Sequence, residues 1–319
     1  MSRRIAVICG SALGDASEVL GRARSLADAG GGEVVAIALG AIEPRTLLAG
    51  GADAVHALTH ALLDEGHVEA LAAAAVQACR ALAPEAVLLG HNALGADLAP
   101  RLAFRLGGGA ATGCIAIDCG DGRWRYTRPR QGGIAREVLS FRAAPAVATL
   151  RPGHYAVPAA DAARQGAVTT AAFAPEGLKT RIVERRRESG DGPRLEDAKV
   201  IVSGGRGLGG PEGFKVLEEL AGLLGGVVGA SRVPCDLGWC PRSWQIGLTG
   251  KTVLPELYIA VGISGAGHHM AGCGNARTIV AVNSDPEAAI FRDARYGVVG
   301  DWQQFIPALI QEIRSRRTA

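Results

Sequence analysis

Short apolar runs that stop at glycine, each followed by a segment of helical spacing, constrain this chain more than any other feature. The first is RRIAVIC over 3–9, ended by Gly10 and followed by ASEVLGRARSLADAG, which closes on another glycine. EVVAIAL at 33–39 and AVHAL at 54–58 come next, then an Ala-rich helical stretch over about 66–82. PEAVLLG at 84–90 reads as a fourth strand and GADLAPRLAFRLG at 95–107 as a further helix. A strand covered on one face alternates apolar with polar, whereas one buried on both faces reads as a continuous apolar run. The pattern predicts parallel strands with helices on both sides, an α/β fold.

From about 111 to 150 the texture changes to short extended pieces, TGCIAID, GRWRYTRPR, AREVLSF and PAVATLR. These predict an antiparallel addition to the same sheet. From about 151 the pattern breaks into proline, alanine and then RIVERRRESGDGPRLED, in which ERRRE reads as a solvated linker or edge strand. Strand and helix then resume with AKVIVSGG, PEGFKVLEELAGLLGG, VVGASR, ELYIAVG and RTIVAVN, and YGVVGD and a helix over about 302–315 follow. The expected organisation is two doubly wound α/β domains, residues 1–194 (with a linker from about 151) and residues 195–319.

Composition narrows the function classes. Lys+Arg 34 against Asp+Glu 31 leaves a net charge of +3, too small to imply nucleic acid. No apolar run approaches the length of a membrane span and no leader pattern opens the chain, so the expectation is a soluble, cytoplasmic protein without membrane insertion. The seven cysteines form no C-x-x-C pair, which argues against a cluster or zinc ribbon. Cys235 and Cys240 lie closest in function-like spacing and read as ordinary reduced thiols.

The turn in IVSGGRGLGG, 201–210, carries Gly205, Gly207 and Gly210 in a G-x-G-x-x-G spacing between a strand and a helix. A helix amino terminus presents free N–H groups and a positive dipole end, which suit an anionic phosphate. A dinucleotide site of the NAD type also needs an acid at the end of the second strand, about 20 residues on. Here that strand ends in Ser231 and Arg232. An NAD(P)-dependent oxidoreductase with a related nucleotide-binding domain is therefore the alternative reading, and it lacks a catalytic base. Small and polar residues crowd the later strand ends: Thr249, Ser264, His268, His269, Asn283 and Asp301. The adjacent histidines point in different directions, so no metal is expected. No nucleophile–base pair is evident either, and no catalytic residue is expected. A binding crevice is the expectation.

In this order and spacing, VSGGRGLGG, VVGASR, QIGLTGK, PELYIAVGISGA, TIVAVNSDPEAAIF and YGVVGD resemble the carboxy-terminal domain of the electron transfer flavoprotein alpha subunit family. The match is dense over about 195–301 and looser in the first half. The resemblance implies a parallel-sheet FAD-binding domain and a heterodimer with an electron transfer flavoprotein beta subunit docked by the amino-terminal domain. It also implies an electron carrier without catalytic turnover of its own, moving electrons from acyl-CoA or other flavin dehydrogenases to a quinone-linked oxidoreductase or other acceptor.

Carried onto this chain, the resemblance places Arg206 by the FAD phosphates or adenosine end, and Ser231 and Arg232 along the cofactor. Ile246, Gly247, Leu248 and Thr249 would form a loop against the isoalloxazine, with the Thr249 hydroxyl near N5. Ser264, Gly265, Ala266, Gly267, His268 and His269 would wrap the pyrophosphate and pyrimidine edge, His269 near O2. Asn283, Asp301 and Trp302 would hold the adenosine half. A guanidinium and an imidazole near the pyrimidine edge would offset the negative charge of a reduced flavin. Two departures stand out: Leu248 where the family usually has Gln, and Gly267-His268-His269-Met270 where it usually has Ile-Gln-His-Leu. The first removes a polar contact, and the second puts a titratable ring in place of an amide.

Overall fold

The structure, a computed structural model, describes residues 3–120, 122–133, 135–185 and 194–318. It divides into two compact units, one running to Arg186 and the other starting at Arg187. Most of the ERRRE run lies outside the described residues. No described helix is long and apolar enough to cross a membrane.

The first unit is built on a seven-stranded sheet. Its strands are β1 (Arg4–Gly10), β2 (Glu33–Leu39), β3 (Ala54–Leu58), β4 (Ala86–Gly90), β5 (Ala110–Cys114), β9 (Ala146–Leu150) and β10 (Ala167–Ala171). They lie in the order β10-β3-β2-β1-β4-β9-β5, all parallel. The continuous apolar runs follow from cover on both faces. Ile5, Val7 and Cys9 of β1 pack with the helix Ser17–Gly30. The intervening Ala6 and Ile8 pack with the helices Val68–Leu82 and Ala93–Leu106 on the other side.

Two expectations fail here. The segment after residue 111 is not an antiparallel extension of this sheet: β5 and β9 join it in parallel. A separate antiparallel sheet forms from β6 (Ala116–Gly120), β7 (Arg123–Arg130) and β8 (Ala135–Leu139). TGCIAID, read as one extended piece, is divided between the two sheets. Nor does a linker begin near 151. β10 pairs with β3, Gln77 Nε2 donates to Ala172 O at 2.9 Å, and Glu69 accepts the backbone N–H groups of Lys179 and Thr180. Phe173 is buried in the core. β10 is an exposed edge strand, AVTTA, so it lacks the apolar run that marks the central strands.

The second unit has five parallel strands. They are β11 (Val200–Gly204), β12 (Val227–Ala230), β13 (Leu257–Val261), β14 (Ile279–Asn283) and β15 (Tyr296–Val299), in the order β12-β11-β13-β14-β15. Val202, Ile259 and Val261 face the helices Glu212–Leu223 and Trp302–Thr318 through Leu217, Leu220, Ile306 and Ile310. Ile201, Tyr258 and Ala260 face the opposite layer, where Ile246, Val253 and Cys273 of the helix Gly267–Cys273 and its neighbouring loop complete the core.

Candidate functional site

A parallel sheet sends every carboxyl end to one edge. In the second unit the chain leaves β11 toward one face and β13 toward the other, so a crevice opens between these neighbouring ends. Hydrogen bonds continue past the strands and tie the edge loops into a rim. Ile246 N donates to Ala230 O (2.9 Å), Ser231 N to Gly204 O (2.9 Å), Gly205 N to Val261 O (2.9 Å) and Gly300 N to Asn283 O (3.0 Å).

At the switch point the rim is made of backbone. Gly207 N donates to Gly262 O at 3.0 Å. A Cβ on Gly205 would stand 2.2 Å from Gly262 O, and one on Gly262 would stand 2.8 Å from the Gly207 carbonyl carbon, with φ at +63°. Neither loop tolerates a side chain there. The third glycine of the sequence motif, Gly210, faces open space, and Gly213 is the one packed against Leu208 and Trp302. The glycine spacing thus fits the crevice through its first two members only.

The N-termini of the helices leaving this edge differ in their capping. Glu212–Leu223 has Pro211 at its N-cap, Arg232–Asp236 has Ser231 and Gly267–Cys273 has Ala266, and none of the three caps makes a side-chain hydrogen bond. First-turn N–H groups there lack the acceptor that a capping side chain supplies. Only Trp302–Thr318 is capped, by Asp301 Oδ1 accepting from Gln303 N at 2.8 Å.

The sixteen expected site residues all fall on this edge or the loops behind it, in three conditions. Arg206, Ser264, Ala266, Gly267 and His268 are exposed, and Arg206 has no carboxylate partner among the described residues. Leu248 and Thr249 are exposed at the tip of a tight loop. There Gln245 Nε2 donates to Thr249 Oγ1 (3.0 Å), Leu248 N donates to His268 O (2.7 Å), and Gly247 packs on the backbone of His268. Ser231 is half-buried, and Arg232 is exposed and held by Asp236, Nε to Oδ2 2.9 Å.

The remaining residues are committed to the fold. Ile246 is buried, and a Cβ on Gly265 would strike Ile290 N. Asn283 donates through Nδ2 to Ile263 O (2.9 Å) and accepts Asp285 N (3.0 Å). Trp302 lies against Gly213. His269 differs most from its neighbour: His268 is exposed, whereas His269 is 7% exposed and points into the core. Its Nδ1 lies 3.0 Å from Ile246 O and its Nε2 2.9 Å from the Tyr258 hydroxyl. A carbonyl only accepts, so Nδ1–H donates to Ile246 and Nε2 accepts from Tyr258. Burial pushes the imidazole down from 6.5 to about 4 and so keeps the ring neutral, against the opposing effect of the Ile246 carbonyl. His269 therefore pins the 245–250 loop to β13.

Sequence reasoning missed Tyr258 and Gly262. A tyrosine within the buried run LYIAV was the available signal for the first, since a buried hydroxyl seeks a partner. For the second the signal was a glycine directly after a central strand.

Comparison with known proteins agrees with this geometry. Residues 194–274 match the electron transfer flavoprotein FAD-binding domain, and residues 15–176 match the electron transfer flavoprotein domain. The first match spans the expected residues from Arg206 to His269, and Asn283, Asp301 and Trp302 lie beyond it. An electron transfer flavoprotein subunit alpha of Thermoanaerobacterium thermosaccharolyticum is 42% identical over 312 residues, covering 96% of this chain and 94% of that protein. The subunit alpha of Bacillus subtilis is 44% identical over 231 residues, covering 72% of this chain and 71% of that one. Protein FixB of Azotobacter vinelandii is 37% identical over 314 residues, covering 94% and 86%. With this identity sustained along nearly the whole chain, the protein belongs to the electron transfer flavoprotein alpha subunit family, and its second unit carries that family's FAD-binding domain.

Proposed function

We propose that this chain is the alpha subunit of a heterodimeric electron transfer flavoprotein, with FAD held along the carboxyl edge of the second sheet. The observation that carries the proposal is the switch-point crevice itself. Backbone closes it where side chains would intrude, the N-termini of Glu212–Leu223 and Gly267–Cys273 lack side-chain caps, and the exposed Arg206 has no carboxylate partner among the described residues. That donor set suits the negatively charged pyrophosphate of a dinucleotide.

The roles of the residues follow from their chemistry. Arg206 and the free N–H groups at the start of Glu212–Leu223 would offset phosphate charge. Thr249 keeps its hydroxyl proton for a ligand, because Gln245 is the donor in their hydrogen bond. Ser264 and His268 add exposed polar groups on the β13 side. Arg232, held at a fixed place by Asp236, supplies positive charge near the β12 end. His269 acts by orientation, fixing the loop that presents Leu248 and Thr249. FAD, when bound, supplies the acceptance and release of electrons, and the protein's groups hold it and balance its charge.

The partner is a beta subunit, docked by the first unit. Electrons come from acyl-CoA or other flavin dehydrogenases and leave to a quinone-linked oxidoreductase or another acceptor. The chain purified with its co-expressed beta subunit is expected to show flavin absorption bands. A colourless, stable complex that takes up no added FAD overturns the proposal.

A further inference from the structure

All seven cysteines are free thiols, and two of them meet. Cys235 lies in the short helix Arg232–Asp236 and is 5% exposed, and Cys240 follows on the returning chain, half-buried. A local turn brings them together. Trp239 N donates to Pro234 O (2.9 Å) and Gly238 N to Cys235 O (3.1 Å), with Gly238 at φ +72°. This paired closure, with a left-handed glycine just past the helix, reverses the chain. It leaves the two Sγ atoms 3.5 Å apart. Cys235 Sγ also reaches Pro241 O at 3.6 Å, so its S–H proton has an acceptor and its sulfur is free to receive the Cys240 proton.

A disulfide needs an Sγ separation of about 2.05 Å, so the two sulfurs have to close in from 3.5 Å. Between the two cysteines sits Asp236, whose Oδ2 holds Arg232 at 2.9 Å and whose Oδ1 lies 3.7 Å from Arg242. Joining the sulfurs would therefore bear on the acid that fixes Arg232.

We propose that Cys235 and Cys240 form a reversible dithiol–disulfide site that responds to peroxides. The Cys240 thiolate, the more accessible of the two, attacks one peroxide oxygen. The S–O bond forms, the O–O bond breaks, and the departing hydroxide takes a proton and leaves as water, giving a sulfenic acid. The Cys235 sulfur then attacks the Cys240 sulfur. The S–S bond forms, the S–O bond breaks, and a second water carries away the hydroxyl with the Cys235 proton. Each sulfur gives up one electron and the peroxide takes two, and a thiol reductant reverses the change by exchange. Burial raises the Cys240 thiol to about 12, with its bond to Cys235 adding to the effect, so the first attack quickens as pH rises. The site stands whether or not FAD binds as proposed above.

The test uses the full chain, reduced and then freed of reductant. It is treated with hydrogen peroxide at mildly alkaline pH, its remaining thiols are alkylated, and the peptide bearing both cysteines is weighed. The expected peptide is lighter than the reduced, unalkylated one by two hydrogens and has lost both alkylation sites, and a thiol reductant restores both. Trp239 fluorescence is expected to change in step. In Cys235→Ser the cross-link disappears and Cys240 gains oxygen instead. Should that variant fail to fold, Cys240→Ser, at the more exposed position, removes the cross-link equally. A wild-type peptide that stays fully alkylated, or gains oxygen without a cross-link, overturns the proposal.

Discussion

The two parallel sheets begin with the same device and finish it differently. In the first unit β1 ends at Gly10, a single 3₁₀ turn Ser11–Leu13 buries Leu13, and Gly14 follows at φ +80°. In the second, β11 ends at Gly204, the turn Arg206–Leu208 buries Leu208, and Gly209 follows at φ +81°. What lies across the turn separates them. In the first unit one side chain closes the gap: Asn92 Nδ2 donates to Leu13 O (2.6 Å), and its Oδ1 accepts Gly95 N (2.8 Å), capping the next helix. His91 beside it pairs with the buried Thr149, Nδ1 to Oγ1 2.7 Å. In the second unit the facing group is the backbone of Gly262, and the helix beyond it, Gly267–Cys273, has Ala266 at its N-cap and no side-chain cap. Across this turn a side chain, Asn92, seals the first unit, whereas the second presents backbone and a helix N-terminus with no side-chain cap. Solvent or a ligand is left to satisfy the N–H groups there.

The most damaging way to probe this contrast is to crowd the backbone contact. Gly262→Ala introduces both a left-handed alanine and a Cβ 2.8 Å from Gly207, and is expected to cost the second unit roughly 3 kcal/mol or more. Gly209→Ala meets open space at nearly the same φ and should cost only about 1–2 kcal/mol of strain. Thermal unfolding of both variants checks the difference, and equal losses would mean that the close approach is unimportant.

Acid should separate the wild-type from a variant of the second unit next. The His269 imidazole titrates at about 4 when folded against an ordinary 6.5, so the unfolded chain takes up its proton first. Its contribution is fully present above pH 6.5 and is lost as pH falls from 6.5 toward 4. The whole window amounts to about 3 kcal/mol. Urea unfolding followed by tryptophan fluorescence at the two ends of that window reads it. His269→Gln, which keeps a donor for Ile246 O, should flatten the dependence.

A smaller effect comes from giving the second unit the kind of seal that the first unit has. Ala266 already has the extended ψ of a capping residue, 142°. Ala266→Asp is expected to stabilise the FAD-free chain by about 1 kcal/mol. It should also weaken FAD binding by about tenfold, about 1.4 kcal/mol. Melting without FAD and fluorescence titration with it are the two readings. The converse change, Asn92→Ala, removes the first unit's seal and should cost about 1 kcal/mol there. FAD affinity should stay unchanged, and a matching loss of affinity would place the cofactor in the wrong unit.

The central strands were legible because burial on both faces imposes a continuous apolar run, as in EVVAIAL, where β2 lies. β10 was not, since an edge strand open to solvent needs no such run, and AVTTA looks like a loop. The division of the 111–150 segment between two sheets depends on pairing with distant partners, which local pattern does not encode. At the site, the arrival of polar residues at one edge followed from the parallel topology alone. Their orientation did not. His268 and His269 are adjacent and equivalent on paper, and it is Tyr258, eleven residues away from His269, together with the Ile246 carbonyl that holds one ring inward. Asn283 and Asp301 looked like ligands for the same reason that they are good caps: short polar side chains at strand ends serve either purpose.

Hydrogen exchange of the chain with its beta subunit, stripped of FAD and then reloaded, tests the placement of the cofactor most directly. With FAD on the second sheet's carboxyl edge, amides around Gly205–Phe214 and Ala266–Met270 should exchange more slowly on reloading, while those of Ser11–Gly14 and His91–Gly95 should not change. Protection confined to the first unit's edge, or none at either, would contradict the assignment.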